Sequence, residues 1–187
     1  MKKLLVMLYL LLVSPAFAAV PVPGDSVYQL DAKLTDQDGH AWPLSERRGH
    51  VQLVSMFYSS CTMVCPMIVD TMKLTQKAVD EPARDKLGLL LVSFDPTRDS
   101  VAALRQYADK RKLDTSHWTL ARAEPSVARQ LAALLGLQYR QLPDGDFNHS
   151  SELILLDADG RIVARTSVIG RLDPDFVQAV RKELVAP

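Results

Sequence analysis

The sequence predicts one α/β domain in which helices flank a central mixed sheet, preceded by an N-terminal extension. Two continuous apolar runs, residues 51–58 and 88–94, have the length and composition of strands that are buried on both faces. Segments with apolar residues at helical spacing follow both runs. The chain has 187 residues, of which 48% are hydrophobic and 24% charged, so it is long enough for one domain with a sizeable core.

The first 18 residues differ in pattern from the rest of the chain. Lys2 and Lys3 form a basic start, and the uncharged apolar run Leu4 to Val13 follows them. Ala16-Phe17-Ala18 then matches the A-x-A pattern of a cleavage site. Because secretory signal peptides have these three parts in this order, residues 1–18 are predicted to be a signal peptide.

Cleavage after residue 18 leaves residues 19–187 as a single domain, which we expect in the periplasm. The alternative is an uncleaved helix that anchors the protein to the inner membrane, but the apolar run is short for a span and Pro15 interrupts its extension. Without the two leader lysines, 20 basic residues stand against 22 acidic residues. This balance gives no electrostatic support for binding nucleic acid.

The first half of the domain alternates strands with helices. A lead-in over residues 19–50 carries turn residues and is expected to form short strands or an edge hairpin. The predicted elements after it are the strand Val51 to Tyr58, a helix over 66–80 and the strand Gly88 to Phe94. The spacing of apolar residues predicts the helix, and Pro66 suits its first position.

The second half continues this alternation and includes a hairpin. Its elements are a helix over 100–111, the strand Trp118 to Ala121, a helix over 125–135, the paired strands Leu153 to Leu156 and Ile162 to Thr166, and a last helix. The turn Asp157-Ala158-Asp159-Gly160 predicts the hairpin, and Asp173-Pro174 supplies a cap and a first residue for the last helix. This order of elements is that of a thioredoxin-like fold.

Cys61 and Cys65 are the only two cysteines of the chain. A structural disulfide between them would close a very small loop and remove little entropy from the unfolded chain. A close pair in an exported protein is more often redox-active, metal-binding or both. Cys61 is expected just after a buried strand and Cys65 at the start of a helix, where free N–H groups stabilise a thiolate. The pair therefore suits disulfide exchange and soft metals.

Among the four histidines, His149 is the candidate for a third metal ligand. His40, His50 and His117 stand near turns or at a strand start, and we expect them to be surface or structural residues. His149 lies at the entrance to the predicted hairpin, which faces the cysteine-bearing helix in a thioredoxin-like fold. Two thiolates and one imidazole suit copper(I), and with a further ligand copper(II). Zinc accepts the same donors, but structural zinc sites normally have a fourth protein ligand.

Four segments of the chain form a combined motif. They are Phe57 to Pro66 (FYSSCTMVCP), Ser93 to Asp99 (SFDPTRD), Asn148-His149-Ser150, and Asp157 to Gly160 (DADG). In their order and spacing the chain resembles the Sco/SenC family over about residues 25–185. The resemblance implies a copper chaperone with a thioredoxin-like fold, in which Cys61, Cys65 and His149 bind copper as Cu(I), Cu(II) or both.

The resemblance also implies partners. Such proteins help to assemble the binuclear copper centre of respiratory oxidases, and their redox-active cysteines, here Cys61 and Cys65, also reduce cysteines of the receiving subunit. Another periplasmic copper chaperone or a thiol reductant is a further expected partner. Many family members carry Pro-Asp inside the cysteine loop, where this chain has Thr62-Met63-Val64, so another copper enzyme, such as a nitrous oxide reductase, is an alternative recipient. A metal-free thiol–disulfide oxidoreductase and a redox sensor are the alternative functions.

Several neighbouring residues have two interpretations. Asp99 is interpreted as the N-cap of the helix from Ser100 and Asp95 as a turn residue, with a role near the metal site as the alternative. Met63 is a candidate auxiliary soft ligand, whereas packing is the favoured role of Met67. The aromatic residues at the end of the first long strand, Phe57 and Tyr58, are expected in the core.

Overall fold

The computed structural model describes residues 21–185, so the predicted signal peptide lies outside the described residues. Seven strands form a mixed sheet in the order β2-β1-β5-β4-β3-β8-β9, and β6 and β7 form a separate two-stranded ribbon. The strands are β1 (Lys33–Asp36), β2 (Ala41–Pro43), β3 (Val51–Phe57), β4 (Leu87–Ser93), β5 (Trp118–Arg122), β6 (Tyr139–Gln141), β7 (Phe147–His149), β8 (Leu153–Leu156) and β9 (Ile162–Thr166). The helices are α1 (Val64–Lys77), α2 (Glu81–Arg84), α3 (Val101–Arg111), α4 (Pro125–Leu134) and α5 (Pro174–Val185). Within residues 21–185, no helix is long and apolar enough to cross a membrane.

The centre of the sheet is formed by β3 and its neighbours. β3 pairs in parallel with β4 and antiparallel with β8, and β4 pairs in parallel with β5. Every residue of β3 is buried, as its continuous apolar sequence predicts. Helix α1 contacts β3, α3 contacts β1 and β5, and α5 contacts β9. The predicted α/β thioredoxin-like fold, with a mixed sheet and flanking helices, is confirmed.

The N-terminal extension packs on the turn between β8 and β9. The N–H of Val27 donates to the carbonyl of Gly160 at 2.9 Å, and Ser26 Oγ donates to the carbonyl of Asp159 at 2.5 Å. Gly160 has φ +80°, and a Cβ atom there would lie 2.5 Å from the ring of Tyr28. Only glycine fits where the extension crosses this turn. Farther along the lead-in, β1 and β2 form the predicted edge hairpin.

The first helix begins earlier than the sequence predicts. We expected a helix over 66–80 with Pro66 at its first position, but α1 spans Val64–Lys77. The first-turn N–H groups of a helix have no intrahelical acceptor, so proline is tolerated at the third position as well as the first. Cys65 therefore lies inside the first turn of α1 rather than at its mouth.

The ribbon of β6 and β7 is absent from the sequence prediction, as is the four-residue helix α2. The two strands of the ribbon have three residues each, which is too short for a period-two pattern to be recognised. The segment Leu142-Pro143-Asp144-Gly145 between them is a turn signal that could have revealed the ribbon, and Gly145 has φ +84° there. As a result, His149 is the last residue of a strand rather than part of a loop.

Candidate metal centre

The two cysteines lie at the carboxyl end of β3, where the chain turns into α1. The side chain of Cys65 is completely buried and Cys61 is 8% exposed. Both are free thiols, and the backbone N–H of Cys65 donates to Cys61 Sγ at 3.3 Å. The N-terminus of α1 thus directs a hydrogen-bond donor at the more accessible sulfur, which favours its thiolate form.

His149 completes a cluster of three potential ligands. Its Nε2 atom lies 3.8 Å from Cys65 Sγ, and the ligand atoms of Cys61, Cys65 and His149 all lie within 4.8 Å of one another. In the part of the chain that the structure describes, no other group of three histidine, cysteine or acidic side chains is placed to hold a metal ion. The three residues that the sequence singles out therefore come together in space.

The surroundings of His149 Nδ1 determine which of the two ring nitrogens carries the proton. Nδ1 lies 2.8 Å from the carbonyl oxygen of Ser150. Because a carbonyl only accepts hydrogen bonds, we assign the proton of the neutral ring to Nδ1, which leaves the Nε2 lone pair directed to the cysteines. Metal-binding histidines in proteins are commonly oriented by a partner of this kind.

The ribbon holds the imidazole in place. Tyr139 of β6 is the register partner of His149 of β7, and the N–H of Ser150 donates to the carbonyl of Gln138 at 2.8 Å. The Phe94 ring stacks on Tyr139 with centroids 4.9 Å apart, and it lies at the same distance from the His149 ring. Packing against Phe94, at the end of β4, therefore docks the ribbon onto the sheet beside the cysteines.

The two thiols differ in acidity. Burial raises the pKa of Cys61, but the polar groups around it, above all the backbone N–H of Cys65, outweigh burial, so the pKa lies below its ordinary value. Burial raises the pKa of Cys65 well above its ordinary value, and the neighbouring Cys61 sulfur raises it further. Cys61 is therefore the more readily ionised and more reactive sulfur. A metal ion that binds both sulfurs has to displace the proton of Cys65.

Comparison with known proteins identifies the family. Residues 24–184 match SCO1/SenC. The chain belongs to the SCO1/SenC family. A candidate copper-binding protein from Stutzerimonas stutzeri is 23% identical over 157 residues, which cover 82% of this chain and 74% of that protein.

Solved structures of the SCO1/SenC type share the fold. The structure of ScoI from Bradyrhizobium japonicum with copper bound matches with a TM-score of 0.69 and 24% identity, over 81% of this chain and 96% of that one. A SCO1/SenC family lipoprotein from Bacillus anthracis matches with a TM-score of 0.73 and 20% identity, over 82% of this chain and 96% of that one. The predicted resemblance to the family is confirmed.

Tyr58 is a site residue of this SCO1/SenC protein that sequence reasoning missed. Its burial was predicted and is confirmed, but its hydroxyl also donates a hydrogen bond to Asp146 on the ribbon. Its ring lies edge-on to His149, with centroids 6.0 Å apart. Burial and the Asp146 contact raise the pKa of Tyr58, so it remains a neutral donor. Tyr58 thus links the cysteine loop to the ribbon that carries His149.

The interpretation of Asp99 as a helix cap is wrong. Ser100 caps α3, with its Oγ accepting the N–H of Ala103 at 3.2 Å. Asp99 is 1% exposed and accepts hydrogen bonds from the N–H and the hydroxyl of Ser59 and from the Ser93 hydroxyl. A buried carboxylate requires such donors, and this one uses them to hold the start of the cysteine loop against the end of β4.

Asp95 combines turn chemistry with a second anchor for the ribbon. The carboxylate accepts a hydrogen bond from Thr97 Oγ1 at 3.0 Å and pairs with Arg98, and it is 3% exposed. Arg98 also donates to the carbonyl of Gly145 at 2.7 Å, and its guanidinium lies 5.5 Å from the Phe147 ring centroid. The loop after β4 is thereby joined to the turn of the ribbon.

The remaining sequence candidates lie elsewhere or at the rim of the site. The side chain of His40 is 79% exposed near Asp36, His50 is exposed, and His117 lies 4.0 Å from Asp85, so none of these histidines joins the cluster. Met67 is 46% exposed, and its methyl group lies beside Gly170. Only part of this side chain is therefore packed against the protein in the way that the favoured packing role requires.

A cleft opens beside the three candidate ligands. It has a volume of about 360 Å³, and Cys61, Met63, Leu142 and His149 are among the residues that line it. A larger cavity of about 680 Å³ lies at the opposite end of the sheet, around Val51 at the start of β3, far from the cysteines. Cys61 and His149 are therefore open to an ion that enters the cleft.

Proposed function

We propose that this protein binds one copper ion through Cys61, Cys65 and His149 and delivers it to a copper-accepting protein. The observation that carries the proposal is the convergence of two sulfurs and one imidazole nitrogen within 4.8 Å at an accessible cleft. Two thiolates and an imidazole are a soft donor set that fits copper(I), and a copper(II) ion would add a further ligand. The copper-bound ScoI structure from Bradyrhizobium japonicum supports copper over zinc.

A site with only three protein ligands suits the delivery of a metal ion better than its permanent binding. Structural metal sites are closed by a full set of protein ligands. Three protein donors beside a cleft leave room for a ligand from the recipient to reach the ion before the chaperone releases it. The family and the donor set favour as recipient the copper-accepting subunit of a respiratory oxidase, with another copper enzyme as the alternative.

We place this activity in the periplasm, after removal of residues 1–18. The basic start, the apolar run and the Ala16-Phe17-Ala18 pattern support export and cleavage. N-terminal sequencing of the exported protein should begin at Ala19. An intact N-terminus in the membrane fraction would instead establish an anchored protein.

Thiol–disulfide exchange is a second candidate function, favoured by the contrast between the two cysteines. The lowered pKa of Cys61 supplies a thiolate that can attack a disulfide of the recipient, forming a mixed disulfide and releasing one recipient thiolate. Cys65 then loses its proton and attacks Cys61 Sγ, which releases the second recipient thiolate. The recipient gains two electrons, the protein retains a Cys61–Cys65 disulfide, and an external thiol reductant has to restore it.

One experiment separates delivery from reduction. The Cu(I)-loaded protein is mixed with a metal-free, reduced copper-accepting oxidase domain, and the metal-free reduced protein is mixed with the same domain in its disulfide form. Copper delivery predicts movement of one copper per chain in the first mixture. A recipient that stays metal-free there but loses its disulfide in the second mixture would replace the copper function by the reductase function.

A further inference from the structure

Met63 occupies an unusual position for a large apolar side chain. It is the residue before the first turn of α1, between the two cysteines in sequence, and it is 80% exposed. Its side chain lines the same cleft as Cys61 and His149. Met63 stands two residues after Cys61 and two before Cys65, so the chain itself holds it next to the cysteine pair.

Neither helix capping nor packing accounts for a methionine at this position. An N-cap residue stabilises a helix when its side chain accepts a backbone N–H, and replacing such a residue by one that cannot costs about 1 kcal/mol. Met63 makes no capping hydrogen bond, and little of its apolar surface is buried. Methionine differs from serine, aspartate and leucine in that its side chain carries a flexible and polarisable thioether.

The other methionines of the described chain do not share this placement. Met56 and Met72 are buried in the core, at 2% and 0% exposure. Met67, one helical turn after Met63, is half exposed but does not line the cleft, and its methyl group lies beside Gly170. Met67 is therefore a matched control for Met63, with the same side chain four residues later in the chain.

We infer that the Met63 thioether is an additional soft donor, which binds Cu(I) at the mouth of the cleft as the ion enters or leaves the three-ligand site. This inference rests on the proposed copper function. Thioethers bind Cu(I) but carry no charge, so their bonds to the ion are weaker than those of thiolates and exchange readily. On entry, a bond from copper to the Met63 sulfur forms first. Bonds with the cysteine thiolates then hold the ion, and the Met63 sulfur stays in exchange with it at the mouth of the cleft. The ion remains Cu(I) throughout, so no electron donor or acceptor is required.

The test uses methionine labelled with ¹³C at its methyl group. One equivalent of Cu(I) is added without oxygen to the reduced protein, and the spectra of Met63→Leu and Met67→Leu assign the two exposed methyl resonances. Zn(II) serves as a second control, because it binds thiolates and imidazole but not thioethers. We expect Cu(I) to shift the Met63 resonance, Zn(II) to leave it nearly unmoved, and the Met67 resonance to stay in place with both metals.

Transfer kinetics supply an independent measurement. Stopped-flow transfer of Cu(I) from a coloured chelator should be roughly tenfold slower for Met63→Leu than for the wild type, which corresponds to about 1.4 kcal/mol of lost donor interaction at the barrier. Met67→Leu should transfer at the wild-type rate. Because Cys61, Cys65 and His149 hold the ion without the thioether, one copper should still bind per chain in both variants.

Two results would overturn the role of Met63 while leaving the proposed function intact. One is a Met63 resonance that responds equally to Cu(I) and Zn(II), since the shift then reports a change of shape rather than ligation. The other is a Met63→Leu variant that loads as fast as the wild type. A wild-type protein that binds no copper at all would instead remove the proposed function, and this inference with it.

Discussion

Replacement of Asp99 by alanine tests how the cysteine loop is held in place. The Asp99 carboxylate is 1% exposed and accepts hydrogen bonds from the Ser59 N–H at 3.1 Å, from the Ser59 hydroxyl and from Ser93 Oγ at 2.5 Å. A hydrogen bond to a charged group contributes about 1.5–3 kcal/mol net. The total for these hydrogen bonds is partly offset by the free-energy cost of burying the carboxylate, and by water that enters the space left in the variant. We therefore expect Asp99→Ala to lower the free energy of unfolding by about 3–4 kcal/mol.

Ser100→Ala is the matched control for this variant. Ser100 is the adjacent residue and caps α3, and the loss of such a cap costs about 1 kcal/mol. Urea unfolding of the reduced, metal-free proteins, followed by circular dichroism, gives both free energies. Copper affinity should also fall in Asp99→Ala, because Ser59 begins the loop that carries Cys61. A cost for Asp99→Ala no greater than that for Ser100→Ala would refute the proposed anchor.

Three further predictions concern the cysteine pair and the ribbon. Mild oxidation of the metal-free protein should join Cys61 and Cys65 in an intramolecular disulfide, and thiols that remain open to trapping reagents in mass spectrometry would contradict their close approach. The hydrogen bond from the Tyr58 hydroxyl lowers the pKa of Asp146. This contact therefore stabilises the fold fully above the ordinary aspartate pKa of about 4, and its stabilisation is lost as the pH falls through the lowered pKa. Tyr58→Phe should therefore reduce the loss of stability below about pH 4, measured by urea unfolding across that range, whereas an unchanged acid profile would exclude the contact. Arg98→Ala leaves the buried Asp95 without its cation and should lower the free energy of unfolding by about 1–3 kcal/mol; a change no larger than that of an exposed ion pair would argue against this anchor.

Elements whose signals are local were predictable from the sequence. The strands Leu153–Leu156 and Ile162–Thr166 have the predicted bounds, because the apolar runs and the turn between them act over a few residues. The last helix begins at Pro174 as predicted, and Asp173 accepts the N–H of Asp175 at 3.1 Å. The approach of His149 to the cysteines was also predictable, since β8, which follows it, pairs with β3.

Contacts between distant residues were not predictable in the same way. Tyr58 and Asp146 are 88 positions apart, and nothing near either residue in the sequence indicates the other. Asp99 and Ser100 are both residue types that cap helices, so local preference cannot decide between them. The buried donors at Ser59, 40 positions away, determine that Asp99 turns inward and Ser100 becomes the cap.

The proposed function requires that Cys61, Cys65 and His149 together hold one copper ion. Its most direct test is a spectroscopic titration of the wild type and of single variants with Cu(I), without oxygen, and with Cu(II). The wild type should bind one copper per chain, with an intense thiolate charge-transfer band in the Cu(II) form. Cys61→Ser and Cys65→Ser should abolish stoichiometric binding, His149→Ala should lose Cu(II) while retaining weak Cu(I) binding on two sulfurs, and the control His117→Ala should match the wild type. Unchanged binding of both oxidation states in His149→Ala would contradict its role as a ligand, and full copper binding by the cysteine variants would contradict the site itself.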